Sequence, residues 1–165
     1  MTTATAVTAP VAESAGTVSS SLADFEFVQK IGSGSFGTVH KVQRRIDKNA
    51  YVIKQVKILV MSRKEQETAI NEVRILASLD SPHVIKYYDS FIDLDSLNIV
   101  MEWAEHGNLS EWLKKRRNSL VLENTVWKFF LQLVVGIHHI HERNIVHRGA
   151  WKDQQLLLLF LLLFL

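Results

Sequence analysis

Cysteine is missing from all 165 residues, which excludes disulfides and thiolate-held metals and is compatible with a reducing compartment. A dominant charge of one sign is missing too. The 19 Lys and Arg against 17 Asp and Glu leave a formal net charge of +2, with the signs interspersed, so neither nucleic acid nor an anionic membrane surface is indicated as a partner. The basic cluster Lys114-Lys115-Arg116-Arg117 reads as a solvated helix end, where cations complement the helix dipole, and not as a nucleic-acid patch. Residues 1–24 contain no Lys or Arg, so they have neither the positive n-region of a secretory signal nor the character of an Arg-rich transit peptide; rich in Thr, Ala, Ser and Val, they read as a disordered tail. The apolar run Leu156–Leu165 is about half the roughly 20 residues that a helix needs to span a bilayer, so a membrane anchor is not expected. It reads as a buried helix or strand, or as sequence foreign to the domain, and the last reading is favoured.

What the chain does have is a glycine-rich turn between apolar runs. Ile31-Gly32-Ser33-Gly34-Ser35-Phe36-Gly37-Thr38-Val39 is followed, at the distance a hairpin needs, by Tyr51-Val52-Ile53-Lys54. Such a turn lets backbone N–H groups approach phosphate oxygens, and the nearby lysine adds a countercharge, a combination that points to nucleotide binding. Phe25 to Lys41 reads as two antiparallel strands around this loop, Tyr51 to Ile58 as a third, and Val84 to Phe91 and Leu97 to Trp103 as two more. Arg63 to Leu79 places Ile70, Val73, Leu76 and Leu79 at helical spacing and stops before Pro82. Leu109 to Lys115 reads as a short helix. Glu123 to Glu142 reads as a core helix, with Val126, Phe129, Phe130, Leu133, Val134, Ile137 and Ile140 in a broad apolar stripe. The fold class is therefore α+β. Ile92-Asp93-Leu94-Asp95-Ser96 is a hairpin turn, since the later glycine and the bidentate glutamate of a calcium loop are missing. His138, His139 and His141 lack carboxylates at ligand spacing, so no metal site is expected there.

In order and spacing, Gly32-x-Gly34-x-x-Gly37-x-Val39, the lysine of Val52-Ile53-Lys54, a helix glutamate at Glu72 and the strand Ile99-Val100-Met101-Glu102-Trp103 resemble the front half of a protein kinase domain. Tyr51-Val52-Ile53-Lys54-Gln55, Tyr87-Tyr88-Asp89-Ser90-Phe91 and Ile99-Val100-Met101-Glu102 resemble the NIMA-related serine/threonine kinases in particular. The resemblance covers Phe25 to Arg148. It implies a kinase N-lobe and hinge over 25–104, a five-stranded antiparallel sheet with one helix, followed by the first helices of an incomplete C-lobe over 105–148. It also implies ATP, used with Mg, and protein hydroxyls as acceptors. Ile31 and Val39 would sandwich the adenine, and Val52 belongs to the same binding set. Gly32, Ser33, Gly34, Ser35 and Gly37 would fold over the triphosphate, with Phe36 at the tip covering the phosphates from water. Lys54 would hold the α- and β-phosphates, paired with Glu72. Met101 would stand at the back of the adenine pocket, and Glu102 to Ala104 would form the hinge whose backbone groups hydrogen-bond the adenine edge.

At the catalytic loop the pattern breaks. Ile145-Val146-His147-Arg148 is what the family has before its catalytic aspartate, so His147 and Arg148 are a remnant of that loop, but the next residue is Gly149. Trp151 stands where the family has a lysine and Gln154 where it has a magnesium-binding asparagine, and no Asp-Phe-Gly follows. Phosphoryl transfer depends on positioning and on metal-assisted charge stabilisation. The chain is therefore expected not to turn over, and none of its residues is assigned as a metal ligand. The abrupt change at 149–165 suggests truncation by altered splicing, a frameshift or a faulty gene model, in preference to an evolved pseudokinase. In the family the helix over 123–142 packs on C-lobe helices that this sequence lacks, so poor solubility or a chaperone partner is expected unless the leucine-rich run folds back onto it. Two alternatives stand beside the kinase reading: a non-catalytic nucleotide-binding or partner-interaction module, and a fragment without function. The expected location is cytoplasmic, with cytoskeletal or ciliary association implied only by the resemblance.

Overall fold

Alternating apolar and polar residues draw the first half of the chain into strands, and the computed structural model describes it over residues 20–34, 37–116 and 119–145. Ser35, Phe36, His147, Arg148, Gly149, the run 156–165 and most of the expected tail lie outside the described residues. The elements are β1 (Phe25–Gly34), β2 (Gly37–Arg44), β3 (Ala50–Lys57), α1 (Arg63–Ala77), β4 (Tyr87–Asp93), β5 (Ser96–Glu102), α2 (Leu109–Lys115) and α3 (Glu123–Glu142). The five strands form one sheet in the order β1-β2-β3-β5-β4, and the expected α+β class holds. β1 pairs antiparallel with β2 and β2 with β3, in a register that sets Gly32 against Val39 and Val39 against Lys54. Irregularities between Phe27 and Gln29 and between Lys30 and Gly32 interrupt the β1 ladder.

The chain divides into two compact units, the first made of the described residues up to Leu76 together with Asp89–Val100, the second of Ala77–Tyr88 and the described residues from Met101 onward. In the first unit Phe25, Val42, Tyr51, Ile53, Phe91 and Val100 form the core, with Leu22 packed against it. Phe25 meets the Tyr51 ring edge-on at 6.4 Å and stacks on Phe91 at 6.3 Å, both favourable arrangements of the ring quadrupoles. Asn98 is fully buried, yet its amide accepts from Gln55 Nε2 at 2.9 Å and donates to the Ser96 carbonyl at 3.1 Å, so little desolvation cost is left uncompensated.

α1 begins with a capping box. The Ser62 hydroxyl donates to Glu65 Oε2 at 2.6 Å, the Ser62 N–H donates to the same carboxylate at 2.8 Å, and the Glu65 N–H reaches back to Ser62 Oγ at 3.4 Å. The Ser62 hydroxyl, and then its backbone N–H, hold the Glu65 carboxyl below its ordinary value. The helix ends two residues before the expected Leu79, which is nonetheless buried, and Val73 and Leu76 carry the buried stripe. β4 begins three residues later than expected. Val84 and Ile85 are buried, but in a turn segment tied by the bond from the Val84 N–H to the Ser81 carbonyl; their apolar character reflects burial and not extension.

In the second unit α2 and α3 have the expected bounds. Asn108 caps α2 by accepting from the Glu111 N–H at 2.9 Å. Trp112 of α2 meets Phe129 of α3 edge-on at 5.3 Å. α3 ends in a Schellman motif: Asn144 takes φ 57°, its N–H donates to the His141 carbonyl, and the Ile145 N–H donates to the Ile140 carbonyl. The expectation that the α3 stripe is core requires correction. Only Gly136 and Ile140 are buried along the helix, while Val126, Phe130 and Val134 are about half exposed, because among the described residues the helix is covered on one side alone. No helix among the described residues is long and apolar enough to cross a membrane.

Candidate functional site

The first unit places the sequence-selected residues of the glycine turn, Lys54 and Glu72 in one neighbourhood. Residues directly opposite in an antiparallel pair share a face, so Val39 and Lys54 stand side by side, with Gly32 beyond Val39 on β1. Val52, two residues before Lys54, shares that face and is buried, whereas Ile53 points the other way into the core. Lys41, opposite Val52, also lies on this face and is half buried.

Lys54 Nζ and Glu72 Oε1 are 2.8 Å apart, a charge-assisted hydrogen bond joining β3 to α1. The side chains are 13% and 32% exposed, so the pair is partly shielded from water and open on one side. One N–H of the ammonium is taken by Glu72, and two donors remain for another anion. The opposed charge and the helix carrying it fix where the lysine points.

The three glycines are not equivalent. A Cβ on Gly34 would meet nothing within 4 Å, and one on Gly32 would touch Val39 at an ordinary 3.8 Å. Gly37 has φ +139°, and a Cβ there would overlap the Gln55 carbonyl oxygen of β3. The third glycine is thus demanded by close packing of β2 on β3, a role that spacing alone does not reveal. Ile31 sits at the second irregularity of β1, with 37% of its surface exposed, and Val39 is half buried. Ser33 is exposed at the end of β1.

In the second unit, Met101 is buried near the end of β5 and Glu102 closes that strand. The Glu102 N–H donates to the Lys86 carbonyl at 2.9 Å, and its carboxylate accepts from the Lys86 N–H at 3.2 Å, which fixes the strand end. Ala104 follows outside the strand, and its carbonyl accepts from the Gly107 N–H at 3.3 Å. No group of three or more His, Asp or Glu able to hold a metal ion occurs among the described residues.

A family model described as the protein kinase domain matches residues 25–158. The chain belongs to the protein kinase domain family. Among the curated relatives of this kinase chain, serine/threonine-protein kinase Nek8 of Danio rerio is 37% identical over 134 residues, covering 81% of the chain and 19% of the relative. Serine/threonine-protein kinase Nek1 of Mus musculus is 37% identical over 131 residues, covering 79% of the chain and 11% of the relative. The probable serine/threonine-protein kinase nek3 of Dictyostelium discoideum is 38% identical over 136 residues, covering 81% and 12%. The resemblance to NIMA-related kinases is thereby upheld, and the chain spans a fifth or less of the length of these relatives. The five-stranded sheet with α1, followed by further helices, is consistent with a kinase N-lobe and the start of a C-lobe. Sequence reasoning missed the Ser62–Glu65 capping box that sets the start of the glutamate-bearing helix, although Ser-x-x-Glu before an apolar stripe was a readable signal.

Proposed function

We propose that this kinase domain chain holds ATP through the β1–β2 loop and Lys54 but does not transfer the γ-phosphate. The observation that carries the reading is the 2.8 Å bond between Lys54 and Glu72, one residue pair along the sheet from Val39 and Gly32. In a kinase such a lysine takes the α- and β-phosphates, and its glutamate keeps it aimed at them. The open space beside Gly34 and the two remaining ammonium donors of Lys54 suit a polyphosphate. Gly32, Ser33, Gly34, Ser35, Phe36 and Gly37 would cover it. Ile31, Val39 and Val52 of the first unit would pack on the adenine. ATP supplies the phosphoryl group that an intact family member transfers to a protein hydroxyl.

Magnesium fits poorly. The described residues offer no ligand cluster, and Gly149 and Gln154 stand where the family places its catalytic aspartate and metal-binding asparagine. No step is routed through the ion. The replacement of that aspartate by Gly149 favours a second reading of the same site, a non-catalytic module that binds nucleotide or competes for a kinase's partners.

Isothermal titration of ATP into the chain and into Lys54→Ala tests the proposal. Saturable binding, weakened at least about tenfold in the variant, is expected, since tenfold corresponds to about 1.4 kcal/mol and a charge-assisted bond supplies that much. Equal affinity in the two proteins would overturn the assignment of Lys54. Radiolabel transferred from γ-labelled ATP to a generic protein acceptor, and absent in Lys54→Ala, would overturn the inactivity.

A further inference from the structure

The sheet face that carries Lys54 holds a second lysine. In the register of β2 and β3, Val39 stands opposite Lys54 and Lys41 opposite Val52, so the four positions form a square with valines on one diagonal and lysines on the other. The square continues onto β1, where Gly32 faces Val39 and Gln29 faces Lys41. Residues two apart along a strand point to the same side, and diagonal neighbours across a ladder lie about 7–8 Å from each other, within reach of long side chains. We propose that Lys41 is a second cation of the nucleotide site, one that makes affinity rise with the number of phosphates. The inference rests on the reading of that site given above and adds to it a residue outside the glycine turn and the Lys54–Glu72 pair.

The valine diagonal offers a base its apolar floor, and the lysines flank that floor at opposite corners. Lys54, held by Glu72, meets phosphate oxygens directly. Lys41 need not touch them. It is half buried, and around a partly buried charge the effective dielectric is well below that of water, so its attraction for a group carrying several negative charges extends across the square. Two ammonium groups on one diagonal also repel each other. A polyanion bound over the square relieves that repulsion while it collects attraction from both, and a ligand with fewer phosphates gains less of each. A lysine whose stem merely covered Val52 would matter for stability and would be indifferent to the charge of the nucleotide.

Substitutions separate the charge from the stem. Lys41→Met keeps an unbranched stem and removes the ammonium, Lys41→Gln does so with a polar end, and Lys41→Arg keeps the charge. Lys30→Met removes the same charge from the other face of the sheet, where Lys30 pairs with His40. Isothermal titration of ATP, ADP and AMP without divalent metal compares these variants with the parent chain and with Lys54→Ala, and circular dichroism checks that each is folded; either neutral variant of Lys41 that folds decides the outcome. The neutral variant is expected to weaken ATP binding at least about threefold, with a loss that shrinks through ADP to AMP. Lys41→Arg and Lys30→Met are expected to stay within about 1.5-fold of the parent. Unchanged ATP affinity in the neutral variant, an equal loss for ATP and AMP, or an equal loss in Lys30→Met would each overturn the proposal. ATP binding that falls in Lys54→Ala but not in the neutral variant would remove Lys41 from the site and leave the site standing, whereas a parent chain that binds no ATP would remove both.

Discussion

Gly37 shows how one residue can be fixed by a carbonyl across the sheet. Gly37→Ala, which places a methyl group against the Gln55 oxygen at a φ that L residues avoid, is expected to cost at least about 2 kcal/mol. Gly34→Ala, with open space around the added carbon, is expected to stay within about 1 kcal/mol of the parent; parallel urea titrations compare the two. His40 offers a second check. Burial first, and the Lys30 charge second, hold its imidazole below the ordinary value of 6.5. The unfolded chain therefore binds more protons at this site than the folded one as pH falls below 6.5, and stability falls with it. His40→Leu is expected to reduce the drop in melting temperature between pH 7 and 5.5, and an unchanged drop would count against the burial argument. Lys54 was legible from its motif, and its partner from spacing. Gly37's packing role was not, because it depends on how closely β2 approaches β3, which no local pattern encodes.

Among the elements, α2 and α3 were readable to the residue: the first has Asn108 as its cap, and the second a long apolar periodicity. β4 was read too early because Val84 and Ile85 are apolar, and an apolar run signals burial without stating whether the backbone is extended. The sequence also could not say which flank of α3 finds a partner, since that depends on where α2 lies. α1 carries the glutamate that orients Lys54, so its first turn matters to the site. Ser62→Ala removes the hydroxyl that Glu65 and its N–H share and is expected to cost about 1 kcal/mol, measured by chemical denaturation. The same change is expected to weaken ATP binding only slightly, because Glu72 lies more than two turns further along the helix.

At the scale of the whole molecule, the nucleotide half of a kinase and the chemical half make separate demands. Gly149→Asp restores one missing group and leaves Gln154 where the family has its metal-binding asparagine. Radiolabel transfer is therefore expected to remain undetectable in that variant, and measurable turnover would show that the aspartate alone limits the chain. The sheet has a consequence of another kind. β1 is an outer strand, and outer strands invite a neighbour's backbone to zip onto them. Its two breaks in register, on either side of Gln29 and Lys30, interrupt the even row of donors and acceptors that such zipping needs. Fibril growth through the β1 edge is thereby discouraged.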